Sequence, residues 1–128
     1  MVNSMQLPVI QAENLLKTVN YDWIDNIYRG SIPESADNAG TTTDIVITES
    51  ENAPNNYANS HFKHWALGVE VQIFYKKANQ TDILSAEIEL AEMFIANGWR
   101  VEQSKNHTKD PDTGQVTKVF YFTKIEII

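Results

Sequence analysis

The alternation of apolar and polar side chains is clearest over residues 66–77, which read ALGVEVQIFYKK. Every second position from Leu67 to Tyr75 is apolar, and most of the positions between are polar. This period of two predicts a β-strand with one face in the core and the other mostly in water. Phe74 interrupts the polar side, so we expect this second face to be partly covered.

Helical periodicity marks two other segments. Residues 7–20 place Pro8 in a first turn, where its missing N–H is no loss, and gather apolar side chains on one face. Residues 81–97 can begin at Thr81 or Asp82, whose side chains cap helices, and Gly98 follows where helices commonly end. We predict a helix over each segment.

The second predicted helix has more apolar surface than one sheet contact needs. One stripe consists of Leu84, Ile88, Ala91 and Ile95, and we assign it to the sheet. The adjacent surface is our candidate oligomer interface: Ile83, Glu87, Leu90 and Phe94. Two interpretations stand, a thick core closed by both helices or a subunit interface. In the second, Glu87 pairs with a cation, which a neighbouring subunit could supply.

The remaining segments predict shorter strands and polar loops. Strands are expected within 21–33, over 43–49, and over 99–109 and 115–128, where aromatic residues on both faces of the last strand indicate that both are partly covered. Polar loops are expected at 34–43 and 52–61, and loops of this length often contact partners. The fold class is therefore α+β: a mostly antiparallel sheet of about five strands with two helices packed on it.

The stretch DPDTGQ, residues 110–115, lies between two predicted strands and indicates a hairpin turn. Asp110 can accept hydrogen bonds from backbone N–H groups ahead of it, Pro111 pre-sets φ, and Gly114 can adopt a positive φ. Asp110 and Asp112 match the start of a calcium-binding loop. The match fails later, because that loop needs a glycine and a glutamate where this chain has Gln115 and Tyr121.

Composition narrows the class of protein. The chain has 128 residues, which fits one domain over 1–128, and no cysteine, which excludes disulfides and thiolate sites. Its first residues do not read as a signal peptide, and no apolar stretch approaches a membrane span of about 20 residues. The net charge of −7 opposes overall attraction to nucleic acid.

Candidate chemistry is sparse. His61 and His64 have a possible ligand spacing, but no third ligand is visible, and His107 is expected at the surface. Nucleophile-elbow and phosphate-loop motifs are absent, so we expect no catalytic residue, cofactor or metal. The minor alternative is an unrecognised enzyme or metal-binding protein that uses Asp110, Asp112 and His107. Several lysines and an arginine fall on the last two strands and at the end of the 66–77 strand. They are either edge residues that oppose aggregation, which we favour, or a weak phosphate track: Lys76, Lys77, Arg100, Lys105, Lys109, Lys118 and Lys124.

Several segments, in this order and spacing, resemble a family of small proteins encoded by long-tailed phages and prophages of Gram-positive bacteria, often labelled as of unknown function. They are DWIDNIYRGSIP from residue 22, DIVITE from 44, YANSHFKHWALGVEVQIFYKK at 57–77, GWRVEQS from 98 and DPDTGQVTKVFYF at 110–122. The size and element order also resemble tail terminator, or tail completion, proteins.

That resemblance implies an α+β subunit that assembles with itself into a ring, typically a hexamer, at the head-proximal end of the tail tube. Its implied partners are the tail tube protein and the head–tail connector proteins, and DNA would pass through the lumen without specific binding. The implied location is the virion, after assembly in the host cytoplasm. Head-completion proteins of the connector resemble the chain in length and fold, and are the alternative.

Overall fold

The computed structural model describes residues 5–33, 40–58, 61–79 and 81–128. Within them the chain forms two helices and six strands, which confirms the α+β class with one strand more than expected. In chain order the elements are α1 (Pro8–Val19), β1 (Asn26–Arg29), β2 (Asp44–Ala58), β3 (His61–Phe74), α2 (Ile83–Ala96), β4 (Arg100–Ser104), β5 (Thr108–Lys109) and β6 (Val116–Ile127).

The strands form one mostly antiparallel sheet in the order β1-β2-β3-β6-β4, with β5 also paired to β6. Only β1 and β2 run parallel among the described strands, and their pairing covers Asn26–Arg29 against Asp44–Ile47. Strand β3 lies at the centre of the sheet, between β2 and β6. This position explains its near-continuous burial from Ala66 to Val71.

Both helices pack on the same face of the sheet. The alternate positions Val69, Val71 and Ile73 of β3 join one core with Leu16 of α1 and Leu90 of α2. α1 begins with Pro8 in its first turn, as predicted, and ends at Asn20, which adopts a left-handed conformation with φ of 56°. Neither helix of the described residues has the length and apolarity that a bilayer-spanning helix requires.

The opposite face of the sheet has no helix over it among the described residues. Here Glu70 of β3 accepts a hydrogen bond of 2.6 Å from the hydroxyl of Tyr121 on β6. That bond, with burial and the charge of Glu70, raises the pKa of Tyr121. Side chains on this face, such as Phe74 and Val119, are half-buried by cross-strand neighbours. The cover that we expected is therefore supplied within the sheet.

Two boundaries differ from the sequence-based expectations. The predicted loop at 52–61 is mostly strand, because β2 continues to Ala58 and pairs with β3 up to His61. Cross-strand pairing thus overrides the turn-like composition of residues 52–58. The predicted strand at 99–109 is divided into β4 and the short β5, both against β6. Of the predicted loops, residues 34–39 and 59–60 lie outside the described residues.

Candidate functional site

Helix α2 is fixed at both ends by local chemistry. The carboxylate of Asp82 accepts hydrogen bonds from the backbone N–H of Ser85 at 3.2 Å and from its hydroxyl at 3.0 Å. At the other end Gly98 adopts a φ of +91°, which a residue with a Cβ rarely adopts, and ends the helix. The two apolar stripes of α2 then differ in which one faces the sheet.

The two stripes of α2 are the reverse of our assignment. Leu90 and Phe94, which we placed at an oligomer interface, are fully buried within the chain, and Ile83 packs half-buried against the same core. Phe94 stacks on Phe122 of β6 with ring centroids 4.1 Å apart and meets the edge of Trp99 at 5.8 Å. These aromatic contacts explain why the stripe with the larger side chains is the one that faces the sheet.

Of the stripe that we assigned to the sheet, Ala91 packs half-buried against the core as expected, but its three large side chains are exposed. Leu84, Ile88 and Ile95 keep 67%, 48% and 54% of their surface in contact with solvent. They follow each other along one side of the helix, and the described residues leave about half or more of each uncovered. We call Leu84, Ile88 and Ile95 the outer stripe. It is a surplus apolar surface that the fold of a single chain does not use.

Glu87 is also in the core rather than at an interface, and its partners come from its own chain. One carboxylate oxygen accepts hydrogen bonds of 2.7 Å from the Tyr75 hydroxyl and 2.7 Å from Nε2 of His107. Burial, followed by the hydrogen bond and the charge of Glu87, strongly raises the pKa of Tyr75. The cation that we expected for Glu87 is thus His107 when protonated, a surface residue that precedes β5.

A groove of about 290 Å³ lies beside the outer stripe. Leu84 and Ile88 line one wall, and residues between β4 and β5, including His107, line the other. Lys118 and Phe120 of β6 contribute to its lining. The Lys118 amine donates to the hydroxyl of Ser104 at 2.8 Å and to the backbone carbonyl of Lys105, and it has no carboxylate partner among the described residues. The groove therefore combines one aliphatic wall with a polar wall, and it is lined by both the buried amine of Lys118 and the buried carboxylate of Glu87.

A second, more apolar recess of about 360 Å³ lies between the start of α1 and the β2–β3 hairpin. Leu7, Phe62 and Trp65 line it, and the indole N–H of Trp65 donates to Asn52 at 2.6 Å. The polar groups here are already paired with each other, so this recess offers a ligand mainly apolar contact.

The hairpin between β5 and β6 is the turn that the sequence predicted. Asp110 accepts hydrogen bonds from the N–H groups of Asp112 at 2.8 Å and Thr113 at 3.2 Å, and Gly114 has a φ of +77°. The N–H of Gly114 closes the turn onto the carbonyl of Asp110 at 2.8 Å, while Pro111 is exposed. The side chain of Asp110 therefore acts in the local structure of the turn, whereas that of Asp112 is exposed at its tip.

Among the residues that the structure describes, no three His, Asp or Glu side chains converge as the ligands of a metal ion would. His61 and His64 are three apart in β3, so their side chains leave on opposite faces of the sheet. His107 is engaged by Glu87 rather than by the hairpin aspartates.

The basic residues do not form one continuous track. Lys118 and Lys124 alternate onto the helix-covered face of β6, where Lys124 pairs with Glu126 at 2.7 Å and lies over the Trp99 ring. Arg100, Lys105 and Lys109 are exposed on and after β4. Sequence periodicity had not singled out this exposed group, because β4 shows no apolar alternation that would have fixed its faces.

Comparison with known proteins supports the family and no specific activity. No curated protein matches the chain significantly. A family model described as a protein of unknown function, DUF806, matches residues 6–127, nearly the whole of the chain. The chain therefore belongs to this family, DUF806, whose function is unknown.

Proposed function

We propose that this protein is a structural subunit of a phage tail, a tail terminator or tail completion protein. In this role, copies form a ring at the head-proximal end of the tail tube, stop tube growth and join the tail to the head. The observation that carries the proposal is the outer stripe of α2, an aliphatic surface that the single chain leaves exposed. The resemblance of the chain's ordered segments to small proteins of long-tailed phages supports the same role.

The outer stripe has the properties that a subunit contact needs. About half or more of each of its three side chains remains exposed. Completing their burial would contribute roughly 1 kcal/mol or more per side chain. The gross gain of about 3–5 kcal/mol is comparable with the entropy lost when two subunits associate. The outer stripe alone therefore favours assembly only weakly. Other contacts, including contacts with the tail tube, would supply the remaining stabilisation.

Deletion of the gene from its phage or prophage tests the role directly. Electron microscopy should then find overlong tails, or tails that are not attached to heads. A complementing copy with Leu84→Ser, Ile88→Ser and Ile95→Ser should leave the defect in place, since it removes the outer stripe without touching the core. The matched control is Val19→Ser, which changes a half-exposed aliphatic residue at the end of α1 and should restore normal particles.

The same experiment separates the alternatives. Heads that form but lose their DNA would favour a head-completion role in the connector. Tails of normal, fixed length joined efficiently to heads after deletion would contradict both roles.

A further inference from the structure

The two ends of the sheet have strand edges that are unpaired in the described part of the chain. Strand β1 pairs with β2 only as far as Ile47, so β2 from Thr48 onward pairs with β3 alone. At the other end β4 pairs with β6 on one side only. We call the β2 segment 48–54 the β2 edge and residues 100–105 the β4 edge. Unpaired edges present backbone N–H and C=O groups that can pair with another strand.

The two edges carry opposite charge. Glu49 and Glu51 are exposed on the β2 edge, which has no basic residue. Arg100 and Lys105 are exposed on the β4 edge, against one carboxylate, Glu102. Contact between two β2 edges would place carboxylates together, whereas contact between a β2 edge and a β4 edge would place opposite charges together.

The register places the two glutamates of the β2 edge on different faces of the sheet. Glu51 lies opposite Gly68 in the β2–β3 register, on the face that lacks helices, and Glu49 lies opposite Val69, on the helix-covered face. A β-bulge between Glu49 and Glu51 produces this division.

On the β4 side, Arg100 lies opposite Thr123, and the Lys105 amine lies 5.3 Å from the Tyr121 ring centroid, both on the face without helices. The helix-covered face there has the buried amine of Lys118, which has no carboxylate partner in the described residues. When a sheet continues from one chain into the next, side chains on one face stay on that face. Glu51 would therefore meet Arg100 or Lys105, while Glu49 would lie on the helix-covered face, toward the groove that Lys118 and Glu87 both line.

From this geometry we propose that copies of the chain join head to tail, with the β2 edge of one copy against the β4 edge of the next. The contact is heterologous, so repetition closes a ring when the rotation allows it. On the β4 side it lies near the outer stripe, because Ser104 of β4 lines the same groove as Leu84 and Ile88. The inference rests on the proposed ring and names the two strand edges that would join its neighbouring copies.

Charge reversal tests the pairing on the purified chain. Glu49→Lys with Glu51→Lys makes the β2 edge basic, and Arg100→Glu with Lys105→Glu makes the β4 edge acidic. Each double variant alone should weaken self-association by about tenfold or more, because like charges then meet at every contact. An equimolar mixture should regain wild-type association, since each contact between the two variants joins edges of opposite charge.

Sedimentation velocity over a concentration series gives the association constants, and circular dichroism checks that each variant is folded. Asp112→Lys is the control for charge alone, because its side chain lies at the exposed tip of the β5–β6 turn, and it should associate as wild type. Wild-type association should also weaken as salt rises from 50 to 500 mM, a change of roughly threefold in screening length.

Each outcome decides the matter. Recovery in the mixture, with weak association of each variant alone, supports the edge contact. A wild-type chain that associates while the mixture does not recover overturns this contact, and leaves the ring proposal to the electron microscopy of deleted phage. A wild-type chain that stays monomeric at every concentration also overturns it, again without deciding the role in the tail.

Discussion

Replacing Leu90 by alanine should destabilise the protein far more than replacing Ile88, two positions earlier on the same helix. Leu90 lies on the side of α2 that faces the sheet and is fully buried, whereas Ile88 keeps 48% of its surface in solvent. Both substitutions introduce alanine, the residue with the highest helix propensity, so a loss of stability in either variant does not come from helix propensity. The comparison therefore measures which stripe of α2 is the core.

The expected magnitudes follow from burial. Truncating a buried leucine removes its transfer free energy and leaves a cavity, which costs about 2–5 kcal/mol. Leu90 contributes to the same core as Phe94, whose ring is stacked on Phe122, so close packing limits collapse around the cavity and the upper half of that range is expected. Ile88→Ala should cost less than about 1 kcal/mol, because half of the side chain is already in water.

Urea denaturation followed by tryptophan fluorescence measures both values. Trp99 is buried against Phe94 and reports on the packing of α2. An unchanged m-value would show that only stability differs. Equal losses for the two variants, or a loss below about 1 kcal/mol for Leu90→Ala, would refute the assignment of the stripes.

Three further perturbations test the buried network and the bulge by the same denaturation assay. Tyr75 has a raised pKa, because burial and then the hydrogen bond and charge of Glu87 oppose its ionisation. The contribution of Tyr75 to the free energy of unfolding is therefore complete below pH 10.0, the pKa of a tyrosine in the unfolded chain, and it falls above that pH by about 1.4 kcal/mol per pH unit. Tyr75→Phe should reduce this alkaline slope of stability against pH. An unchanged slope between pH 10 and 11 would contradict the explanation. Glu87→Ala should cost about 1–3 kcal/mol, since Tyr75 loses its acceptor, and Glu87→Gln should cost clearly less because an acceptor remains. Gly68→Ala should cost about 1–3 kcal/mol, because the new Cβ would lie 2.6 Å from the Ser50 hydroxyl oxygen; Ser50→Gly in the same chain should recover part of the loss, and no recovery would place the strain elsewhere.

Local periodicity predicted where the helices and strands of this fold lie better than it predicted which face of each is buried. The alternation at Val69, Val71 and Ile73 correctly identified the central strand and its buried side, because each buried position follows from the pleat alone. Asp82 and Gly98 likewise marked the ends of α2. These signals depend on neighbours in sequence, and so they can be recognised without the tertiary structure.

The face of α2 depended on distant residues. Both stripes of the helix are aliphatic, and Glu87 lies beside the one that we expected to be outside. A carboxylate normally indicates solvent, but Tyr75 and His107 stabilise this one in the core from positions that no local pattern connects to it. The same limit applies to residues 52–58, whose turn-like composition gives way to pairing with β3. The acidic and basic strand edges required the sheet order, which also is not encoded in any single segment.

The sheet order also bears on how the chain acquires its structure during synthesis. Strands β4 and β5 pair with β6 and with no other described strand, and β6 follows both of them in the chain. The β2–β3 hairpin is local and can form as soon as residues 44–74 have left the ribosome, but the ring of Phe94 must wait for Phe122. Until β6 emerges, one edge of β3 stays unpaired, and Phe94 on the buried side of α2 lacks the ring on which it stacks. Pairing of β6 therefore completes the sheet, and before it forms the chain exposes apolar surface of the kind that makes folding intermediates prone to aggregate.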